Sequence, residues 1–242
     1  MLRWIAPEGQ TSCVIWSALT AESADAAIAA QRSFFTSRGT RVEWKYYDYD
    51  TPADLPARLL AAGFTPEDEE VMLVAEAAAI SPEVVLPAGV RLVPVTDEAG
   101  IEASMTVRDR AFPDESPGLH ERLLSQFLDA PETLQMVLAM AGDEPVAASR
   151  VEFVPGTDFA GLWGGGTVPD WRGRGIFRAM VAYRAGLAAD RGYRYLQVDA
   201  LPTSRPILER LGFQPVAHTT PYVFTPQVAS RRGAGPEPGT AG

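Results

Sequence analysis

Val168-Pro169-Asp170-Trp171-Arg172-Gly173-Arg174-Gly175-Ile176-Phe177-Arg178 stands where a strand-like run gives way to a helical one. Residues 159–168 form an apolar stretch, and Ile176, Met180, Tyr183 and Leu187 then recur at helical spacing until Gly192 stops them. A helix that begins here leaves its first amides unpaired and carries a partial positive charge, which suits an anion. Glycines at 173 and 175 let a ligand approach the main chain, and Arg172 and Arg174 add charge-assisted contacts. The pattern fits a diphosphate site, and also an ordinary solvated turn with helix-start glycines.

Other Gly-rich sites fit less well. A Walker loop needs Gly-Lys-Ser/Thr, and a dinucleotide turn needs a third glycine where Phe177-Arg178 stands. An RNA-binding Arg-Gly segment would be repeated, whereas this run occurs once and opens an amphipathic helix. The chain as a whole is acidic, with a formal net charge of -10 and a pI near 4.7. That argues against nucleic acid as a partner and suits basic or amine-bearing substrates.

The 242 residues are 46% hydrophobic, enough for one large or two small domains. No apolar run is long enough to span a bilayer, and the N-terminus lacks the apolar core of a signal peptide. A cytoplasmic protein with no membrane partner is expected. Cys13 is the sole cysteine, which excludes an intrachain disulfide and a cysteine metal cluster; with only His120 and His218 besides, no metal site is expected. Arginine replaces lysine nearly everywhere, Lys45 being the exception, as in the coding of a GC-rich bacterial genome.

Prolines and glycine in residues 81–89 punctuate two periodic regions, so a boundary is placed there: 1–85, then 89–226, with 227–242 a disordered tail lacking large apolar residues. In the second region, residues 91–95 alternate as a strand. A helix capped by Thr96 or Asp97 runs to Phe112 and Pro113, and another opens at Ser116-Pro117. Residues 134–141, 146–154 and 159–168 read as an antiparallel meander separated by turn sequences. A strand at 195–201, a short helix from Ser204 capped by Gly212, and a strand at 216–224 follow the long helix.

The first region repeats part of this order. The offset that carries Gly63-Phe64 onto Gly212-Phe213 also carries residues 46–50 onto 195–199, with a helix from about residue 21 to 37 ahead of them. At that offset Arg172 to Gly175 fall on Ser23-Ala24-Asp25-Ala26, so the front copy lacks the arginine-glycine turn. It is expected to be a degenerate half-domain without a cofactor.

The meander, the turn, the amphipathic helix, the next strand and the short helix ending Leu211-Gly212-Phe213 together resemble the GCN5-related N-acetyltransferase (GNAT) superfamily over residues 90–224. Its pyrophosphate motif is Arg/Gln-x-x-Gly-x-Gly/Ala. Arg172 and Gly175 match it, while Phe177 replaces the final small residue. The resemblance implies an α/β (α+β) fold with a mixed, mostly antiparallel sheet flanked by helices, preceded here by the smaller GNAT-like half-domain.

The resemblance also implies acetyl-CoA, or another acyl-CoA, as cosubstrate. Main-chain amides of Arg172, Gly173, Arg174, Gly175, Ile176 and Phe177 would hold the diphosphate, and Gly166, Thr167 and Val168 would pair with pantetheine as a strand would. An amide near Val168 would polarise the thioester, and Ser204 stands near a cofactor-contacting position of the family. The implied reaction is acyl transfer to the primary amine of a small molecule, amino acid or peptide in a ternary complex.

Amine acetylation needs a deprotonated nucleophile, a polarised carbonyl and a proton for the thiolate. The family's tyrosine before Gly-Phe is replaced by Leu208, which leaves Tyr222 as a substitute acid and Glu152 and Asp199 as candidate bases. Trp163-Gly164-Gly165-Gly166 is unusual for a strand unless a bulge or close main-chain approach requires it. A non-catalytic acyl-CoA-binding module, suggested by Leu208, and an interaction protein using the N-terminal half as a docking surface are the rival readings.

Overall fold

The computed structural model describes residues 1–7, 10–112 and 118–226. The proposed stop at Pro113, the helix opening at Ser116-Pro117 and the tail at 227–242 lie outside the described residues. The N-terminal half runs β1 (Leu2–Trp4), β2 (Ser12–Trp16), α1 (Ala24–Arg38), β3 (Val42–Tyr47), α2 (Leu55–Ala61), β4 (Thr65–Pro66) and β5 (Glu70–Glu76). The rest runs β6 (Val90–Pro94), α3 (Glu98–Ala111), α4 (Leu119–Asp129), β7 (Leu134–Ala141), β8 (Glu144–Phe153), β9 (Phe159–Thr167), α5 (Ile176–Asp190), β10 (Tyr195–Ala200), α6 (Arg205–Arg210) and β11 (Gln214–Phe224).

Local chemistry sets several of these limits. Asp97, one of the two proposed caps, accepts a hydrogen bond from the Gly100 amide at 2.9 Å and starts α3. Gly39 ends α1 in the left-handed region, returning its amide to Thr36. Ser204 occupies the N-cap position of α6 but makes no capping bond; its hydroxyl donates to the Leu201 carbonyl at 3.2 Å.

Among the described residues a single sheet of 11 strands runs through both halves, in the order β1-β2-β3-β11-β5-β10-β9-β8-β7-β6, with β4 pairing to β11. It is mostly antiparallel; β2 with β3 and β9 with β10 are the parallel pairs. The two halves exchange their last strands. β5, from the first, pairs with β10 of the second, and β11, from the second, pairs with β3 of the first. β5 and β11 then pair with each other, so hydrogen bonding is continuous across the linker at 81–89.

Side-chain alternation sorts the helices onto two faces. A Cβ on Gly165 would meet Phe177 of α5, and one on the next residue, Gly166, would meet Ala111 and Phe112 at the end of α3. The α5 face carries Leu73, Leu162, Val181, Leu196 and Leu208 in one cluster, while Val42 and Trp44 pack with Ile28, Phe35, Leu55 and Leu59 of α1 and α2 in another. On the opposite face Ile101, Val107 and Leu123 of α3 and α4 join β6, β7 and β8. Each cluster buries large aliphatic or aromatic groups, each fully buried side chain contributing roughly 1.5–3 kcal/mol.

Candidate active site

β9 and β10 pair only through Phe159, Ala160 and Gly161 opposite Tyr195, Leu196 and Gln197. Beyond Gly161 the edge of β9 that faces β10 has no strand partner. A bulge opens it: between the Arg150–Trp163 and Ala148–Gly166 pairs, Ser149 of β8 stands against Gly164 and Gly165. Gly164 takes φ +58°, a conformation that L side chains avoid, and a Cβ there would meet the Arg150 guanidinium at 2.6 Å. The triple glycine is thus a strand with a bulge and a close approach.

The opened strands frame a cavity of about 630 Å³. Gly165, Gly166 and Thr167 form one wall, the turn at 171–178 another, and Leu201, Thr203, Ser204, Ile207 and Arg210 a third. Gly175 is the N-cap of α5 with φ +87°. Among the described residues, the main-chain amides of 173–177 donate to no oxygen. Five unpaired donors therefore stand at the N-terminal end of a 15-residue helix, an end equivalent to about +0.5 charge.

Arg172, Arg174 and Val168 take other roles than the proposed ones. The amide of Arg172 donates to the Pro169 carbonyl at 3.1 Å, so the free donors start at Gly173. The Arg172 side chain donates to the Thr167 carbonyl at 3.0 Å and the Ala111 carbonyl at 2.8 Å, tying the turn to β9 and the end of α3. Arg174 lies over the Trp171 ring at 4.6 Å. The amide of Val168 donates to Val146 at 3.0 Å; strand alternation turns that of Thr167 away from β8, toward the cavity. Arg178 and Arg210 also line the cavity, and the sequence reading missed them. Arg178 could have been found one turn into α5; Arg210 carries no local signal.

Of the catalytic candidates, Tyr222 is not brought to the cavity. It is 8% exposed in the core of the N-terminal half, edge-on to Tyr46 at 6.1 Å. Burial raises its phenol above the ordinary value. Glu152 lies opposite Gly161, where the opening starts, and accepts from Arg150 Nε at 2.6 Å and Arg122 Nη2 at 3.2 Å. Burial pushes its carboxyl up, but the two guanidinium groups outweigh burial and hold it below the usual range. Glu152 is a clamped anion.

Asp199 stands two residues beyond the last β9–β10 pair, its side chain only 5% exposed. One oxygen accepts from Gln197 at 2.9 Å and the other meets Lys45 Nζ at 3.1 Å; Lys45 also meets Glu70 at 2.6 Å. Burial works to lower the lysine, and Asp199 and Glu70 reverse it, so the ammonium is held above its usual range. His218 meets Glu69 at 3.0 Å on the exposed surface, and Leu208 is buried.

The N-terminal half has a second cavity, of about 530 Å³, between α1 and α2. Ile28, Ala29, Asp54, Arg58 and Ala61 line it, and the repeat offset carries them onto Phe177, Arg178, Thr203, Ile207 and Arg210 of the main cavity. Here Arg58 bridges Asp25 at 3.1 Å and Asp54 at 3.0 Å. Asp25 falls on Arg174, so acid replaces base where the larger cavity has its turn.

No helix among the described residues is long and apolar enough to cross a membrane, and no group of three or more His, Cys, Asp or Glu among them is placed to hold a metal ion.

Residues 102–213 match the acetyltransferase (GNAT) family model. No curated protein matches the chain. Among solved structures, a GCN5-related N-acetyltransferase from Kribbella flavida superposes with TM-score 0.68 at 19% identity, over 88% of this chain and 80% of that one. One from Sphaerobacter thermophilus superposes with TM-score 0.60 at 18% identity, over 81% and 63%. A tandem GNAT protein from the clavulanic acid biosynthesis pathway gives TM-score 0.60 at 14% identity, over 92% and 77%.

Proposed function

We propose that this chain, whose residues 102–213 match the acetyltransferase (GNAT) family model, transfers an acetyl group from acetyl-CoA to a primary amine of a small molecule, amino acid or peptide, in a ternary complex. The carrying observation is the set of unpaired amides at 173–177 beside the unpartnered edge of β9. In this reading those amides hold the diphosphate, with Arg178 and Arg210 adding charge, and pantetheine lies along β9 against Thr167. Ser204 and Thr203 face the cofactor from the start of α6.

The amine attacks the thioester carbon, the C–N bond forms, and the carbonyl oxygen gathers charge beside the free edge of β9. The C–S bond then breaks, the thiolate takes a proton from water, and the amine surrenders one. Asp199, held by Lys45 and Gln197 beside the opening, anchors the incoming ammonium and passes its proton to solvent. Glu152 fixes Arg150 and takes no proton. Residues 1–85 act as a degenerate GNAT-like half-domain that lends Lys45 and β5 to the site; in its cavity Asp25 and Asp54 already occupy Arg58, and the turn glycines are missing. A cytoplasmic location belongs to the same reading.

Leu208, buried where the family places a tyrosine, favours a second reading, a non-catalytic acyl-CoA-binding module. The two separate on thiol release from acetyl-CoA across a panel of primary amines. Release above the uncatalysed rate with any amine supports the transferase, whereas tight acetyl-CoA binding with no release leaves the binding module.

A further inference from the structure

Arg184 lies inside α5, 2% exposed, among neighbours that are otherwise apolar: Met180, Val181, Ala185 and Ala188. Among the described residues no carboxylate comes within ion-pair distance of it. Its guanidinium donates only to main-chain carbonyls. Nε bonds Met180 at 3.1 Å, and Nη1 bonds Arg150 at 3.0 Å and approaches Trp163 at 3.5 Å. Arg150 and Trp163 are the cross-strand pair that flanks the bulge. A Cβ on Gly165, inside the bulge, would lie 3.6 Å from Nη2.

Burying an uncompensated guanidinium is unfavourable, and an aliphatic residue would pack α5 against the sheet without that penalty. The rigid fork of arginine does what an aliphatic group cannot: it binds two strands at once where their own ladder is broken. We propose that Arg184 is a positioning residue for acyl transfer, fixing the bulge at Gly164 and Gly165 and thereby the main-chain edge of β9 that meets the thioester. It acts through the bulge and does not touch the cofactor. The proposal rests on the acetyl-CoA reading above.

The charge contributes as well. Burial, and then Arg150, pushes Arg184 down to about 9, so it stays protonated at neutral pH. A cation fixed behind the bulge polarises the peptide groups it binds and favours the negative charge that develops on the thioester oxygen.

The test compares the full-length wild type with Arg184→Met and Arg184→Lys; lysine keeps the charge but lacks the fork. Amide hydrogen exchange reads the bulge directly, and the infrared band of carbonyl-¹³C acetyl-CoA reads polarisation of the bound thioester. In Arg184→Met, exchange should rise about tenfold or more at residues 162–168 while β5 and β11 keep their protection. CoA affinity should stay within about threefold, since the diphosphate amides are untouched. The carbonyl band should return toward its position in free acetyl-CoA, and Arg184→Lys should fall between. Unchanged exchange at 162–168, a uniform loosening of the whole sheet, or an unshifted carbonyl band would each overturn the proposal. If Arg184→Met does not fold, Arg184→Lys decides by the same readouts. A wild type that binds no acetyl-CoA would refute the functional reading and the catalytic part of this proposal together, and the exchange result would still decide whether Arg184 holds the bulge.

Discussion

Lys45 of β3 and Asp199 of β10 meet at 3.1 Å although β11 and β5 lie between their strands. The contact joins the two halves beside the opening of β9 and β10, with Glu70 on the same ammonium. Removing the cation leaves two partly buried carboxylates facing each other. Lys45→Met should destabilise the fold by about 3–5 kcal/mol, measured by denaturant unfolding at pH 7. The sign of the pH dependence follows from the raised lysine. Its contribution is fully present below the ordinary value of 10.5 and is lost only as pH climbs through the higher folded value. The difference between wild type and variant should therefore be the same at pH 7 and pH 9.

Cys13 of β2, whose Sγ lies 4.0 Å from Glu43 Oε1, offers an independent check. Burial, and then Glu43, pushes its thiol from 9.0 up to about 12. Only the thiolate is alkylated, so iodoacetamide at pH 8 should label native protein about a thousandfold more slowly than unfolded protein. Equal rates in the two states would place Cys13 in an ordinary, accessible environment.

Arg172 separates a structural arginine from ligand-binding ones. Its guanidinium is committed to the Thr167 and Ala111 carbonyls, while Arg178 and Arg210 face the cavity. Arg172→Ala should lower stability by about 1–3 kcal/mol through the loss of two charged hydrogen bonds. The double variant Arg178→Ala with Arg210→Ala should leave unfolding nearly unchanged but weaken CoA binding and flatten its salt dependence. The two measurements are thermal unfolding and calorimetry at two ionic strengths.

Where the physics is local, the sequence was readable. Gly175 before an apolar helical stripe marked the start of α5, and Trp163-Gly164-Gly165-Gly166 marked a close approach that proved to be the bulge. Asp97 and the turn sequences between β7, β8 and β9 likewise announced their elements. The exchange of β5 and β11 was not readable, because strand partners far apart in sequence leave no local trace. Arg184 was invisible for a related reason: an arginine in an amphipathic helix is read as solvent-facing until the carbonyls of Arg150 and Trp163 come to meet it. Tyr222 failed in the opposite sense, since strand exchange carried it into the core of the other half.

The second cavity makes its own prediction. The Asp25–Arg58–Asp54 ion pairs occupy the counterpart of the cofactor turn. Acetyl-CoA should therefore bind with a stoichiometry near one per chain, and Asp25→Arg should not create a second site, because α1 lacks the turn glycines. Calorimetric stoichiometry reads this directly.

The most direct measurement is a calorimetric titration of acetyl-CoA into wild type and Gly175→Glu, with circular dichroism on both. Gly175 sits at φ +87°, where a side chain adds about 1–2 kcal/mol of strain, and a carboxylate there would face the diphosphate. Saturable binding to the wild type that disappears in a still-folded Gly175→Glu is the predicted result. A folded wild type that binds no acetyl-CoA, or a variant that binds it undiminished, would contradict the assignment of the turn.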